Sequence, residues 1–194
     1  MKYLTVFMVL VRTFSLAQTN NLAEQISPLL IGEKVPEAQV RSADNAVHEL
    51  TAIVSQRPTV LLFYRGGWCP YCNAHLSEIR HIEKEIIDMG YQIVAVSPDA
   101  PENIKITEDE KNIGYQLYSD AKGELIKAMG IAFKAPERYA GLLEKKSNGL
   151  NEGFLPVPSV FILDKSGKIL FEYINPDYKT RLSGKLLIAV LKNL

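Results

Sequence analysis

The sequence has 194 residues, of which 47% are hydrophobic and 23% are charged. This length and composition suit one globular domain and exclude a disordered or fibrous chain. The 22 basic residues balance the 22 acidic residues, so the charge indicates neither a nucleic-acid-binding protein nor one that binds an anionic membrane surface.

The first residues have the pattern of an export signal. Lys2 precedes a short apolar run, and Ser15 and Ala17 place small residues where a signal peptidase cleaves. We therefore predict a signal peptide at 1–17 and a periplasmic or secreted protein. The apolar run is shorter than the roughly 20 residues that cross a bilayer, so no stable membrane insertion is expected after cleavage. Arg12 interrupts the run, and a buried N-terminal segment is the alternative.

A polar leader at 18–31 is expected to enter one domain at 32–194. Apolar residues alternate with polar ones on both sides of Asp44 and Asn45, which predicts a short N-terminal β-hairpin.

The run 59–64 (TVLLFY) is continuously apolar, as in a strand that is buried on both faces of a parallel sheet. Pro70 then favours the start of a helix, and Gly90 favours its end. Further strands are predicted at 91–96, 116–118, 159–163 and 168–173, and further helices at 101–112, 122–129 and 178–194. The region 131–153 has no clear apolar period and is interpreted as a surface insertion, in which 136–145 is compatible with a helix. This order of elements indicates an α/β fold in which helices flank a central mixed β-sheet.

Only two cysteines are present, Cys69 and Cys72, and they flank the predicted start of the helix at Pro70. Free N–H groups and the helix dipole favour an anion at that position, and the thiolate is the reactive form of cysteine. Two intervening residues allow a short-range disulfide, so that one sulfur attacks a substrate and the other resolves the intermediate. We therefore predict a catalytic redox pair.

Two other roles for the cysteine pair are compatible with the sequence. Zinc could recruit both sulfurs together with His75 and His81, although these histidines fall on different turns of one helix and are expected to face solvent. A purely structural disulfide would close so short a loop that it would stabilise the fold little. The expectation is therefore that the protein holds no metal and no cofactor.

The stretch from Phe63 to Cys72 (FYRGGWCPYC) resembles the peroxiredoxin-like AhpC/TSA family of the thioredoxin-like superfamily. Further segments that resemble this family are 96–102, 118–123 and 160–169. The resemblance implies a thioredoxin-like fold, an antioxidant thiol peroxidase that acts on hydroperoxides, and an external reductant such as a thioredoxin-like protein.

The resemblance leaves open which cysteine attacks. Counting from Phe63 as in peroxiredoxins places Cys72 at the peroxidatic position, whereas the helix position and the thioredoxins favour Cys69. Pro158 stands where peroxiredoxins often carry an arginine. With Val157 before it, Pro158 instead looks like the cis-proline of thioredoxins, where the preceding residue binds substrate through its backbone.

Arg65, Trp68 and Tyr71 surround the pair in sequence and complete the candidate substrate-binding residues. Arg65 could stabilise a thiolate or polarise a peroxide, while the two aromatic residues would line the rim of the site. The leading hypothesis is a thiol-dependent peroxidase. The alternative is a dithiol–disulfide oxidoreductase that acts on protein disulfides outside the cytoplasm, and a third is a non-catalytic zinc or binding module.

Overall fold

The computed structural model describes residues 19–194, so the predicted signal peptide at 1–17 lies outside the described residues and stays a prediction. In this part of the chain the strands are β1 (Gln39–Arg41), β2 (Val47–Glu49), β3 (Thr59–Phe63), β4 (Gln92–Ser97), β5 (Gln116–Ser119), β6 (Ala132–Lys134), β7 (Phe154–Pro156), β8 (Ser159–Leu163) and β9 (Ile169–Ile174). The helices are α1 (Leu50–Val54), α2 (Pro70–Asp88), α3 (Pro101–Lys111), α4 (Glu124–Ala128), α5 (Ala140–Lys146) and α6 (Gly184–Leu191). None of the helices described is long and apolar enough to cross a membrane.

Seven strands form one mixed sheet in the order β2-β1-β5-β4-β3-β8-β9. β3, β4 and β5 run parallel, and the antiparallel hairpin β8–β9 extends the sheet beyond β3. β1 and β2 form the predicted N-terminal hairpin, which joins the other side of the sheet through β5. The prediction of a thioredoxin-like fold with a central mixed sheet is therefore confirmed.

The central strand β3 is buried along its whole length, as its apolar run predicts. Its side chains alternate between two hydrophobic layers, with Leu61 and Phe63 in one and Val60 and Leu62 in the other. The second layer also contains the inner faces of α2 and α6 and both cysteines. The cysteine pair therefore lies at the edge of a packed core.

The C-terminal helix is shorter than the prediction of 178–194, because α6 begins only at Gly184. Ser183 caps this helix by accepting a hydrogen bond from the backbone N–H of Leu186. The preceding loop is instead organised by Asp177, whose side chain accepts hydrogen bonds from the Lys179 N–H and the Thr180 hydroxyl. The loop 175–183 is thereby placed over the start of α2.

The segment 131–153 is more ordered than its sequence indicates. β6 pairs with β7 in a separate two-stranded sheet, and α5 follows a short helical turn at Glu137–Tyr139. Leu143 of α5 packs with Ala135 and Leu155. The boundaries of the domain and the interpretation of this segment as an insertion stay predictions.

Candidate active site

The site lies where the carboxyl ends of β3 and β4 meet the start of α2. The chain leaves β3 through Tyr64 and turns at Gly66, whose φ of +139° is one that side chains rarely adopt. A Cβ atom at Gly66 would lie 2.3 Å from Nε1 of Trp68, so only glycine fits beneath the indole. The Gly67 N–H donates a hydrogen bond of 2.8 Å to Oδ2 of Asp99, which follows β4.

The two cysteines meet at the first turn of α2, and each residue is only 1% exposed. Cys69 is the N-cap of the helix, and its carbonyl oxygen accepts a 3.0 Å hydrogen bond from the Asn73 N–H. Cys72 lies within the first helical turn. Pro70 occupies the first helical position, where its missing N–H costs no hydrogen bond.

The two thiols differ in acidity. A hydrogen bond from the Cys72 thiol lowers the pKa of Cys69 to about 6, and the Cys72 backbone N–H and the charges of Arg65 and Arg181 add to this effect. Burial raises the pKa of Cys72 well above its usual value, and the neighbouring Cys69 raises it further. The pair therefore holds one negative charge at neutral pH, and that charge lies on Cys69.

Arg65 is 3% exposed, and aromatic rings enclose its guanidinium. Its Cζ atom lies 4.3 Å from the ring centroid of Tyr178, 4.9 Å from that of Tyr139 and 5.2 Å from that of Trp68. Its Nε atom has no hydrogen-bond partner among residues 19–194. Desolvated cation–π contacts of this kind contribute about 2 kcal/mol each, so they offset part of the cost of burying the charge.

A second guanidinium reaches the pair from the loop 175–183. Nη2 of Arg181 lies 3.7 Å from Sγ of Cys72, although the two residues are 109 positions apart in the sequence. Tyr178 of the same loop packs edge-on against Tyr71, with ring centroids 5.6 Å apart. Tyr71 itself is 41% exposed and forms the outer rim beside the pair.

The expectation that both histidines of α2 face solvent is wrong for His75. His75 is buried, and its Nε2 atom lies 3.1 Å from the carbonyl oxygen of Leu182. Burial, assisted by Arg181, lowers the pKa of His75 to about 4, so the imidazole is neutral at pH 7. His81 is exposed. The described residues contain no group of three or more potential metal ligands.

The cis-proline interpretation of Pro158 is also wrong, because residues 19–194 contain no cis peptide bond. Val157 and Pro158 connect β7 to β8, and this two-residue connection is made with a trans bond. Val157 is fully buried, its N–H donates to Ile131, and its carbonyl accepts from the Ser159 hydroxyl. The substrate-binding role of Val157 and Pro158 stays a prediction. The cis bond on which the analogy with thioredoxins depends is absent at Pro158, and the backbone groups of Val157 already have partners within the fold.

Four residues of the site were missed in the sequence: Asp99, Tyr139, Tyr178 and Arg181. The position of Asp99 in the sequence could have predicted its place in the site. Asp99 follows β4, and an acid at the carboxyl end of a parallel strand lies near the residues that follow the neighbouring strand. Burial raises the pKa of Asp99 to about 6, against the opposing effect of the Gly67 N–H. Tyr178 and Arg181 come from the loop 175–183 and Tyr139 from a three-residue helical turn, where no periodic pattern marks them.

A thiol-based redox enzyme on a thioredoxin-like scaffold is the class that this fold and this cysteine pair define. The sequence profile of the AhpC/TSA family matches residues 31–171, and the chain belongs to that family. It is 26% identical over 144 residues to a putative peroxiredoxin of Mycobacterium tuberculosis, covering 74% of this chain and 84% of the relative. It is 23% identical over 167 residues to peroxiredoxin Bcp of Escherichia coli, covering 86% and 98% respectively.

Solved structures show the same fold. Reduced Prx3 from Vibrio vulnificus superposes with a TM-score of 0.73 at 17% identity, covering 84% of this chain and 99% of that one. Peroxidoxin BcpB from Mycobacterium tuberculosis superposes with a TM-score of 0.67 at 19% identity, covering 84% and 97%. Because the chain belongs to the AhpC/TSA family and is similar to peroxiredoxins along most of its length, it is a peroxiredoxin-like enzyme.

Proposed function

We propose that the protein reduces hydroperoxides through a redox-active Cys69–Cys72 disulfide, which an external dithiol then reduces. The observation that carries this proposal is the placement of both buried cysteines at the start of α2. There a hydrogen bond from the Cys72 thiol lowers the pKa of Cys69, while burial raises the pKa of Cys72. With a pKa of about 6, the Cys69 thiol is about 90% ionised at pH 7. The nucleophile is therefore Cys69, and Cys72 is the resolving residue.

The reaction proceeds in two steps. The Cys69 thiolate attacks the terminal, OH-bearing oxygen of the hydroperoxide and the O–O bond breaks, so that Cys69 becomes a sulfenic acid. The departing alkoxide or hydroxide takes a proton from solvent and leaves as an alcohol or water. The Cys72 sulfur then attacks the Cys69 sulfur, the S–O bond breaks, and water leaves as the disulfide forms. Two electrons pass from the thiols to the peroxide, and the external dithiol returns them.

Burial of both cysteines favours a small substrate. Each residue is only 1% exposed, so a protein disulfide reaches either sulfur only after the rim formed by Tyr71, Tyr178 and Trp68 opens. A hydroperoxide is much smaller, so it reaches the sulfur with less movement of these rim side chains than a protein needs. The structural neighbour Prx3 from Vibrio vulnificus, at 17% identity, is known in its reduced form in complex with H2O2.

Regeneration requires a partner that reaches the disulfide, and a protein dithiol does so only once the same rim has opened. Pro70 and Tyr71 lie between the two cysteines and are both exposed, so they offer the surface at which a thioredoxin-like reductant approaches. If the segment 1–17 acts as a signal peptide, the reductant is a protein of the periplasm or the exterior.

Turnover of a thiol reductant in the presence of peroxide tests the proposal. Reduced protein is mixed with dithiothreitol or thioredoxin, and with hydrogen peroxide or an organic hydroperoxide. Consumption of the reductant should depend on peroxide and on the enzyme, and it should fall to background in Cys69→Ser. A wild-type rate no higher than that of the Cys69→Ser/Cys72→Ser double variant with both peroxides would refute the proposal.

The alternative is a dithiol–disulfide oxidoreductase for protein substrates. The observation in its favour is the placement of Cys69 at a helix start with a lowered pKa, which suits thiol–disulfide exchange as well as peroxide reduction. Insulin reduction in the absence of peroxide distinguishes the two functions. The proposed peroxidase should reduce insulin no faster than the double variant does.

A further inference from the structure

Arg181 is held against the resolving cysteine by contacts of the residues that directly follow it along the chain. The carbonyl of Leu182 accepts a 3.1 Å hydrogen bond from Nε2 of His75, and the Gly184 N–H donates a 2.6 Å hydrogen bond to Oε1 of Glu78. His75 and Glu78 lie on α2, within two turns after Cys72. The helix that carries Cys72 therefore fixes the loop segment that presents Arg181.

Arg181 is a charged partner of Cys72 in this position. The groups that face the Cys72 sulfur are Cys69 of α2, Tyr64 and the Arg65 backbone after β3, and Arg181 of the loop. His75 of α2 lies near Arg181. His75 is neutral, because burial lowers its pKa to about 4. Burial raises the pKa of the Tyr64 hydroxyl well above its usual value, so this group is neutral as well. Arg181 thus supplies the positive charge in contact with the sulfur.

The need for this charge changes during the proposed cycle. In the reduced pair the Cys69 thiolate opposes ionisation of Cys72. Once Cys69 has become a neutral sulfenic acid, that repulsion disappears, but Cys72 is still 1% exposed and poorly solvated. A buried thiol that must act as a nucleophile needs a fixed positive charge beside it.

We propose that Arg181 is a catalytic residue of the second step, where it stabilises the Cys72 thiolate that attacks the Cys69 sulfenic acid. In this step the Cys72 S–H bond and the Cys69 S–O bond break and the S–S bond forms. The thiol proton joins the departing hydroxide as water, and no oxidant beyond the peroxide already consumed is needed. This inference rests on the proposed function, in which Cys69 attacks and Cys72 resolves.

The test separates the two steps in Arg181→Met, with Arg181→Lys as a charge-retaining variant. Lys179→Met removes an exposed cation from the same loop and serves as the matched control. Reduced protein is mixed rapidly with one equivalent of hydrogen peroxide. Fluorescence of Trp68, the only tryptophan, reports the reaction, and a sulfenic-acid reagent with mass spectrometry counts the intermediate.

In Arg181→Met, sulfenic acid should form at a rate within about threefold of wild type. The reason is that Arg181 has the smallest effect among the groups that lower the pKa of Cys69. Disulfide closure should slow by about tenfold or more at neutral pH, so that the sulfenic acid accumulates. The pH at which closure reaches half its maximal rate should rise. Arg181→Lys should recover part of the closure rate, and Lys179→Met should match wild type.

Closure at the wild-type rate and with the wild-type pH profile in Arg181→Met would overturn the inference while leaving the proposed function intact. Equal slowing in Arg181→Met and Arg181→Lys would also contradict it, since that result indicates packing rather than charge. If wild-type protein forms no sulfenic acid at all, the proposed function fails and this inference fails with it.

Discussion

Arg65 is 3% exposed, yet its guanidinium is surrounded by three aromatic rings and forms no salt bridge within the described residues. The charge that faces it is the Cys69 thiolate, whose pKa it helps to lower. The aromatic rings thus stabilise a cation that in turn stabilises the reactive form of the sulfur. At the level of single residues, the proposed reactivity of Cys69 depends on this arrangement of unlike charges.

Arg65→Met should therefore weaken the thiolate. The pH at which Cys69 is half ionised should rise from about 6 by about one unit, so the thiolate population at pH 6 should fall roughly fivefold. The ultraviolet absorbance of the thiolate, followed as a function of pH in the reduced protein, measures this change. Arg138→Met is the matched control, because Arg138 is exposed and stacks on Tyr139 without reaching the cysteines. Identical titrations of Arg65→Met and wild type would contradict the role of Arg65.

At the scale of elements, the regular parts of the fold follow from the sequence, and the irregular parts do not. The apolar run predicts a buried strand, and β3 is buried along its whole length. Pro70 predicts the start of a helix, and α2 begins there. The three-residue strands β6 and β7 are too short to show alternation, and β7 ends at Pro156. The predicted C-terminal helix, 178–194, is longer than α6, because the apolar period of the helix continues through Leu182 into the loop 175–183.

The difference between regular and irregular segments also explains which site residues the sequence predicts. Cys69, Cys72, Arg65 and Trp68 come together because they lie within one turn of chain between β3 and α2. Arg181 contacts Cys72 across 109 positions, and only the folded path of the loop brings it there. A sequence without an alignment carries no signal for such a long-range contact.

The start of α4 offers a test of packing within one element. Gly123 has a φ of +73°, and a Cβ atom there would lie 2.2 Å from Cζ of Phe154. Gly123→Ala should therefore destabilise the fold by about 2–5 kcal/mol, from backbone strain and overpacking together. Chemical denaturation measures the loss.

Gly141 provides the control for that substitution. It lies in α5 with open space around its Cβ position, so Gly141→Ala should leave the free energy of unfolding unchanged or raise it by up to about 1 kcal/mol. A Gly123→Ala protein as stable as Gly141→Ala would show that the contact with Phe154 is wrongly described.

At the scale of the whole molecule, folding is coupled to proton binding through buried acids. Burial raises the pKa of Asp99 from 3.8 to about 6 and that of Asp120 to about 7. A group whose pKa is higher in the folded state binds protons more tightly there, so its contribution to stability falls as the pH rises through the folded-state pKa. For Asp99 this window lies between about pH 4 and pH 6.

Asp99→Asn should remove this dependence while an amide oxygen still accepts the Gly67 N–H. Relative to wild type, the variant should gain up to about 3 kcal/mol in the free energy of unfolding between pH 4 and pH 7. Urea denaturation of both proteins across this range measures the difference, in which the other acids cancel. A difference that stays constant with pH would contradict the raised pKa of Asp99.

In the proposed cycle Cys69 attacks the peroxide and Cys72 resolves the intermediate. The most direct measurement is mass spectrometry of Cys72→Ser and Cys69→Ser after one equivalent of hydrogen peroxide and a sulfenic-acid reagent. Serine at position 72 keeps a hydroxyl donor for the Cys69 thiolate. We expect a trapped sulfenic acid on Cys69 in Cys72→Ser and none on Cys72 in Cys69→Ser. Trapping on Cys72 alone, or on neither cysteine, would contradict it.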